Sequence, residues 1–328
     1  MKIAVTKPLS ETGMAYARSR AEVIVLDSVD KEEVLEKITR EPVDALIARW
    51  FTLDADFIAR AAAAGCKVLA RFATGLDKCD ISAATEHRIP LVYAFGANAH
   101  AVAEYTVSLM LSVFKSITYC DRHSHTGDFV YGKGKYLSRD FYGKNVYIVG
   151  FGNIGRQVGG MCRALGMSIA AYDKYMPRER VEAEGAKWCE NLYDGLADAD
   201  IVSIHMPLTS ETEKIVNEEF FSRMKDGAVF INTARGGLVD EEALVHNLKN
   251  EKLRAAGLDA SSADDGKENH KLWGCENLTL SAHVAAMTEE ALAVMAEYCV
   301  DGIQAVLEKK RWRITANPEV YDLLGWEK

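Results

Sequence analysis

A group of glycines near the middle of the chain has the spacing of a phosphate-binding turn. The strand-like run Asn145–Val149 leads directly into the sequence GFGNIG at Gly150–Gly155. Gly150 and Gly152 permit a tight turn and bring backbone amides close to a pyrophosphate, which the dipoles of the following helix attract. Gly155 lets that helix lie close to the sheet. Because the motif stands between a strand and a helix, it predicts a dinucleotide site.

Asp173 stands where such a site requires an acidic residue. It stands two residues after the next strand-like run, Ser168–Ala171, which follows a helical pattern at Arg156–Leu165. Its carboxylate would accept hydrogen bonds from both ribose hydroxyls of NAD and repel the 2′-phosphate of NADP. Lys174 could soften that preference, although a solvated loop lysine is the simpler interpretation. The pattern therefore predicts NAD as the cofactor.

Arg235 occupies a turn directly after another buried strand pattern, Ala228–Asn232. Ligands of open α/β sheets bind at the carboxyl ends of the strands, and a guanidinium fork pairs with a carboxylate. Arg235 is therefore a candidate for binding an anionic substrate. A helix cap or a surface ion pair is the alternative role.

A second glycine pattern resembles a phosphate-binding loop only in part. Gly127 is followed by Gly132 and Lys133, but Gly134 replaces the Ser or Thr that would hold magnesium. We interpret this stretch as a surface hairpin.

Short runs rich in Val and Ile alternate with helical patterns along the chain. Such alternation predicts an α/β fold with parallel sheets covered by helices on both faces. The predicted strands are Lys2–Val5, Val23–Leu26, Ala45–Ile47, Lys67–Ala70, Asn145–Val149, Ser168–Ala171, Ile201–Ile204, Ala228–Asn232, Arg254–Leu258 and Leu278–Ser281.

A long helical pattern at His100–Tyr119 separates two series of strands and marks the expected domain change. The final helical pattern, Glu289–Glu308, could pack back on the first domain. We therefore predict two domains, one at residues 1–98 and 285–328 and the other, which carries the dinucleotide motif, at residues 99–284.

Composition excludes several function classes. The 328 residues carry 39 basic and 48 acidic side chains, a net charge of -9, and the basic residues are scattered, so nucleic acid is a poor candidate partner. No apolar run approaches membrane-spanning length, and the N-terminus lacks the apolar core of a signal peptide, so we expect a cytoplasmic protein without a membrane partner. The seven cysteines are odd in number and widely spaced, which favours reduced thiols over disulfides and predicts no metal site.

Longer motifs point to a family. The run His205–Asp259, together with Val102–Glu104 and Leu280–His283, resembles the D-isomer-specific 2-hydroxyacid dehydrogenases. The resemblance covers the chain from about Ala45 to Glu308. It implies two similar Rossmann-like domains around a cleft, with a flavodoxin-like substrate domain at residues 1–98 and 285–328 and an NAD-binding Rossmann domain at residues 99–284. It also implies NAD-dependent oxidation or reduction of a small 2-hydroxy or 2-oxo acid, and a homodimer built largely on the helix predicted at residues 100–119.

The same resemblance implies three catalytic residues. The family's arginine falls on Arg235, where it would bind the substrate carboxylate and polarise the reacting oxygen, and its histidine falls on His283, where it would exchange the proton. The family's relay glutamate is replaced: Asp264 occupies its position, while Asp265 and Glu268 are nearby alternatives. A solvated acidic loop is a further interpretation of this stretch.

The cofactor site is expected to include backbone and side-chain groups from several loops. The predicted cofactor-binding residues are Gly150, Gly152, Asn153, Ile154, Gly155, Asp173, His205, Pro207, Thr212, Thr233, Ala234 and Asp259.

The substrate side of the resemblance contains conflicting signals. The amides of Thr74 and Gly75 would cradle the carboxylate, and Arg49 and Arg71 match positions where phosphoglycerate dehydrogenases carry arginines near the phosphate. The bulky pair Trp50 and Phe51, however, could close the pocket around a smaller or apolar group. Leading substrates are 3-phosphoglycerate and compounds like hydroxypyruvate or glyoxylate.

Two other functions are alternatives for this fold. A catalytically weak NAD-binding regulatory protein, like the corepressors of this fold, needs the nucleotide site but not Arg235 and His283. Oxidation of formate or phosphite is disfavoured, because formate dehydrogenases of this family usually have glutamine where this chain has Asp264.

Overall fold

The computed structural model describes residues 1–128, 138–262 and 270–327. The chain divides into two compact units, one formed by Met1–Asn98 with Met287–Lys328 and the other by Ala99–Ala286. Each unit is built on a parallel β-sheet with helices packed on it, so the fold is α/β with two Rossmann-like sheets. Among the described residues, no helix has both the length and the apolar character needed to cross a bilayer.

The first unit contains a five-stranded sheet in the order β2-β1-β3-β4-β5. The three-residue strand β5 was not predicted, because a run of three apolar residues is too short to show a period. The strands are β1 (Lys2–Val5), β2 (Glu22–Val25), β3 (Ala45–Ala48), β4 (Val68–Arg71) and β5 (Leu91–Tyr93), and the helices are α1 (Glu11–Arg20), α2 (Lys31–Arg40), α3 (Ala55–Ala63), α4 (Ile81–Glu86), α11 (Glu289–Leu307) and α12 (Val320–Leu323).

The second unit contains a seven-stranded sheet in the order β12-β11-β10-β9-β6-β7-β8. Its core strands β6, β9 and β10 are almost wholly buried, as expected for strands covered on both faces. The strands are β6 (Asn145–Val149), β7 (Ser168–Tyr172), β8 (Lys187–Trp188), β9 (Ile201–Ile204), β10 (Ala228–Asn232), β11 (Leu253–Leu258) and β12 (Leu278–Leu280), and the helices are α5 (Ala99–Phe114), α6 (Ile117–His125), α7 (Asn153–Ala164), α8 (Arg178–Ala183), α9 (Glu218–Arg223) and α10 (Glu241–Lys249).

The single helix predicted at residues 100–119 is wrong. The structure has two helices there, because Ser116 has a φ of 57°. That value lies in the left-handed region, so the right-handed helix cannot continue through this residue. The amide of Ser116 closes the end of α5 by donating to the carbonyl of Val113 at 3.0 Å. The periodicity continues across the break, so the sequence pattern did not reveal it.

The seven cysteines are free, and five of them are buried. Burial raises the pKa of the Cys162 thiol to about 12, which keeps it protonated at working pH. The prediction of reduced thiols is confirmed for these residues. The phosphate-loop-like residues Gly132, Lys133 and Gly134 lie outside the described part of the chain.

Candidate active site

The carboxyl ends of neighbouring strands in the second unit carry most of the residues selected from the sequence. The parallel register places Asn232 opposite Leu258, and Leu258 opposite Leu280. Val149 lies opposite both Ile204 and Tyr172. Because paired strands are about 4.8 Å apart, the loops that follow them line one edge of the sheet. Along that edge, from β12 to β7, stand His283, Asp259, Arg235, His205, Gly150 and Asp173.

The glycine turn fits a bound pyrophosphate. A Cβ atom on Gly155 would lie 2.1 Å from the carbonyl oxygen of Gly150, so only glycine lets α7 begin this close to the turn. Gly150 has a φ of 94°, and a Cβ there would meet the backbone of His205 at 2.7 Å. Around Gly152, in contrast, nothing in the described part of the chain lies within 4 Å of such an atom. That open space is where a pyrophosphate would approach the backbone.

Helix α7 begins three residues earlier than the sequence pattern indicated, with Gly152 as its cap and Asn153 as its first residue. Its first amides belong to Asn153, Ile154 and Gly155. The geometry of a helix leaves such amides without partners inside the helix. They are therefore available to a bound phosphate, together with the favourable end of the helix dipole.

Asp173 connects the glycine turn to the loop after β7. One carboxylate oxygen accepts a hydrogen bond from the amide of Phe151 at 2.8 Å, and the other accepts from the amides of Tyr175 and Met176 at 2.9 and 3.0 Å. A carboxylate offers about four acceptor positions, so capacity for a ribose hydroxyl remains. Lys174 points to the carboxylate of Glu211 in an exposed ion pair, which agrees with its interpretation as a surface lysine.

The loop after β9 contains three predicted cofactor residues. The amide of His205 donates to the carbonyl of Val149 at 2.7 Å, and its Nε2 lies 2.9 Å from the hydroxyl of Ser203. The hydroxyl of Thr212 donates to the carbonyl of Pro207 at 2.7 Å. The loop is thus closed on itself beside the glycine turn.

His205 is expected to make stability fall in mild acid. Burial lowers the pKa of its imidazole from 6.5 to about 3. The unfolded chain therefore binds a proton that the folded chain does not, and the free energy of unfolding decreases as pH falls from about 6.5 towards 3. In the variant His205→Gln the free energy of unfolding should decrease less over this range, with a slope against pH that is shallower by at most about 1.4 kcal/mol per pH unit. Urea unfolding of both proteins at several pH values measures this, and parallel curves would contradict it.

The turn that carries Arg235 is organised by a residue that sequence reasoning missed. The side chain of Asn232 is wholly buried, donates to the carbonyl of Arg235 at 2.8 Å and accepts from the amide of Ala234 at 3.0 Å. An Asn at the end of a strand commonly closes a turn in this way, so its position was an available signal. The guanidinium of Arg235 donates to the carbonyl of Ala234 at 2.8 Å.

The hydroxyl of Thr233 is hydrogen-bonded to a residue of helix α5. Its hydroxyl lies 2.7 Å from that of Thr106 on α5, and the Thr106 hydroxyl donates to the carbonyl of Val102. The proton of Thr233 must therefore point to Thr106, since that oxygen has already given its own proton. Thr106 is a second positioning residue that sequence reasoning did not select.

Asp259 shapes the loop that carries His283. This side chain, 1% exposed, accepts hydrogen bonds from the hydroxyl of Ser281 at 2.7 Å and from the amides of Val284 and Ala285 at 3.0 and 2.9 Å. Its carbonyl accepts from the amide of His283, whose φ is 55°. The predicted role of Asp259 was cofactor binding, and the structure adds a positioning role. His283 itself is exposed at the sheet edge.

The candidate relay residues Asp264, Asp265 and Glu268 lie outside the described residues. The chain on both sides of them is held by the buried side chain of Glu241. Glu241 accepts from the amide of Ser262 at 2.7 Å and from its hydroxyl, and the Nε2 atom of His270 lies 2.8 Å from that hydroxyl. The two ends of the segment are thus joined by one polar cluster.

The predicted substrate residues lie at the carboxyl edge of the sheet in the first unit. Arg49 follows β3 and Arg71 ends β4; they are 8% and 9% exposed. Thr74 and Gly75 are half-buried in the loop after β4, and within the described residues their amides donate to no protein acceptor. Two adjacent free amides suit a carboxylate.

A family model and several known proteins are similar to this chain. A family model described as the NAD-binding domain of D-isomer-specific 2-hydroxyacid dehydrogenases matches residues 107–285. D-3-phosphoglycerate dehydrogenase from Methanocaldococcus jannaschii is 36% identical over 308 residues, which are 94% of this chain and 57% of that protein. Hydroxypyruvate reductase from Thermotoga maritima is 34% identical over 298 residues, which are 88% of this chain and 93% of that protein.

A solved structure, that of the TT0316 protein from Thermus thermophilus, superposes with a TM-score of 0.85 at 30% identity and covers 96% of this chain and 100% of its own. This chain spans about half the length of the phosphoglycerate dehydrogenases that it matches.

Proposed function

The chain belongs to the D-isomer-specific 2-hydroxyacid dehydrogenases, and from that membership we propose that it moves a hydride between NAD and the alpha carbon of a small D-2-hydroxy acid or 2-oxo acid. The observation that carries the proposal is the set of groups at the carboxyl edge of the seven-stranded sheet. A glycine turn that suits a pyrophosphate, a guanidinium and an exposed imidazole follow strands of the same sheet there.

We assign Arg235 and His283 to the reacting group. In the direction of reduction, Arg235 binds the substrate carboxylate and polarises the carbonyl oxygen, so that negative charge can develop on it. His283 donates the proton that this oxygen acquires, and in oxidation it accepts the same proton. An imidazole suits both directions because its ring nitrogens can donate a proton or accept one. Bound NAD supplies or accepts the hydride.

Other residues bind the substrate and the cofactor. Thr74 and Gly75 hold the substrate carboxylate through their amides, while Asp173 and the amides at the start of α7 hold the cofactor. Asp264 is proposed to orient the imidazole of His283, with Asp265 and Glu268 as alternatives. The substrates suggested by sequence are 3-phosphoglycerate and hydroxypyruvate-like or glyoxylate-like acids.

We further propose a cytoplasmic homodimer whose interface includes α5.

Purified protein is expected to oxidise NADH when supplied with a suitable 2-oxo acid, because Arg235 and His283 are both present at the sheet edge. The loss of NADH absorbance is measured with glyoxylate, hydroxypyruvate, pyruvate, 3-phosphohydroxypyruvate and branched 2-oxo acids. NADH binding is measured separately by fluorescence. Intact NADH binding with no turnover on any of these acids would refute the enzyme proposal and favour an NAD-binding regulatory protein.

A further inference from the structure

The three residues after β3, from Arg49 to Phe51, form a rigid segment. They lie beside the end of β4, because Ala48 is opposite Arg71 in the parallel register. One hydroxyl fixes the backbone at the start of the segment: Thr6 Oγ1 accepts from the amide of Arg49 and donates to its carbonyl, each at 2.8 Å. The segment therefore presents a defined surface at the edge where the loop of Thr74 and Gly75 begins.

The guanidinium of Arg49 makes its contacts with other groups of the protein. Its Nη1 donates to the carbonyl of Pro8. Its central carbon lies 4.2 Å from the centre of the Trp50 ring and 5.5 Å from that of the Phe72 ring. These distances are those of cation–π contacts. Burial lowers the pKa of this guanidinium, as expected for a cation removed from water.

Arg71, the second arginine of the expected phosphate site, supports the same segment. Its Nη1 donates to the carbonyl of Phe51 at 2.5 Å. The Phe51 ring is 2% exposed and packs edge-on against Phe57, with ring centres 4.7 Å apart. Arg71 is thus bound to the backbone of the residue that follows Trp50.

Trp50 forms the exposed part of the segment. It is 64% exposed and has a φ of 54°, in the left-handed region that bulky residues rarely adopt. Backbone strain of this kind persists where surrounding structure enforces it, often at functional sites. Here the fixed neighbour Arg49 and the cation–π contact hold the indole over the guanidinium, which leaves an aromatic surface open to solvent.

We propose that this protein selects 2-oxo and 2-hydroxy acids whose group beyond the alpha carbon is uncharged, and that Trp50 excludes a distal phosphate by covering Arg49. The inference rests on the proposed function and deepens it. A phosphate is best recognised by guanidinium donors. In this chain one arginine lies against an indole and the other holds a backbone carbonyl, while the exposed indole offers contact area to an uncharged group. Of the two suggested substrate types, the structure favours the one like hydroxypyruvate.

The test compares kcat/KM for hydroxypyruvate and 3-phosphohydroxypyruvate with NADH. The wild type is expected to prefer hydroxypyruvate by about tenfold or more. The variant Trp50→Asn uncovers Arg49 without added backbone strain, because Asn tolerates this φ. It should raise kcat/KM for the phosphorylated acid by about tenfold, mainly through a lower KM. The double variant with Trp50→Asn and Arg49→Met should lose this increase in kcat/KM for 3-phosphohydroxypyruvate.

Two matched variants separate loss of the ring from loss of exposed apolar surface. Trp50→Phe keeps an aromatic ring over Arg49 and should keep the wild-type preference. Leu323→Ser removes an exposed apolar side chain from α12 in the same unit and should change neither substrate's kcat/KM.

The possible outcomes separate this inference from the function on which it rests. A wild type that prefers the phosphorylated acid, an unchanged preference in Trp50→Asn, or a gain that survives the loss of Arg49 would overturn the inference while hydride transfer stands. Failure to reduce every 2-oxo acid would overturn the proposed function, and the inference with it.

Discussion

Replacing His283 by asparagine is expected to lower kcat by about 10²- to 10⁴-fold, the contribution typical of a positioned general acid or base. Asparagine is the suitable replacement because residue 283 has a φ of 55°, and asparagine adopts this conformation more readily than alanine. The amide cannot donate a proton to an alkoxide at working pH. The loss should therefore appear in kcat, and the part of the pH profile that reports the acid or base should disappear.

Binding measurements distinguish this effect from damage to the nucleotide site. The affinity for NADH, followed by fluorescence, should be nearly that of the wild type, since Asp259 holds the loop of His283 through the amides of Val284 and Ala285. The variant His246→Ala removes an exposed imidazole from α10 of the same unit and should keep full activity. A kcat for His283→Asn within threefold of wild type, with an unchanged pH profile, would remove His283 from the proposed mechanism.

Replacing Arg235 by lysine is expected to lower kcat/KM by about 10²- to 10³-fold, despite the retained positive charge. A guanidinium presents paired donors to a carboxylate and a carbonyl oxygen at once, whereas an ammonium is a point charge. Loss of the carboxylate contact should raise KM, and loss of polarisation at the reacting oxygen should lower kcat. Initial rates over a range of 2-oxo acid concentrations separate the two effects.

A matched substitution controls for the change in side chain. Arg223→Lys alters an exposed arginine on α9 that pairs with Glu219, and it should leave both constants unchanged. Because Asn232 organises the turn through the backbone of residues 234 and 235, the Arg235→Lys protein should fold normally. If Arg235→Lys had kinetic constants like those of the control, the residue would be a structural one.

Much of the candidate site could be predicted because its residues stand directly after strands. The run Val-Phe-Ile in β10 marks a buried strand, and the turn that follows it must then reach the carboxyl edge of the sheet. The same reasoning located Asp173 after β7. Strands of two or three residues, such as β8 and β5, were missed because they are too short to show a pattern.

The least predictable features depend on single backbone conformations. The change of direction at Ser116 divides a continuous apolar pattern into α5 and α6, and no residue of that stretch is a helix breaker such as Gly or Pro. Trp50 likewise adopts a conformation that its own type disfavours. In both cases the residue type does not predict the backbone conformation.

The order of residues along the chain specifies which chemical groups the loops carry: a glycine turn with an acidic residue after the next strand, an arginine after β10 and a histidine after β12. The way in which those groups are held depends on contacts between distant parts of the chain. Asp259 holds the loop 22 to 26 residues away from it, and Arg49 is fixed by contacts to residues 41 and 43 positions away. Local spacing cannot specify such pairs, because the distance between two side chains far apart in sequence is set by the packing of the sheet that joins them.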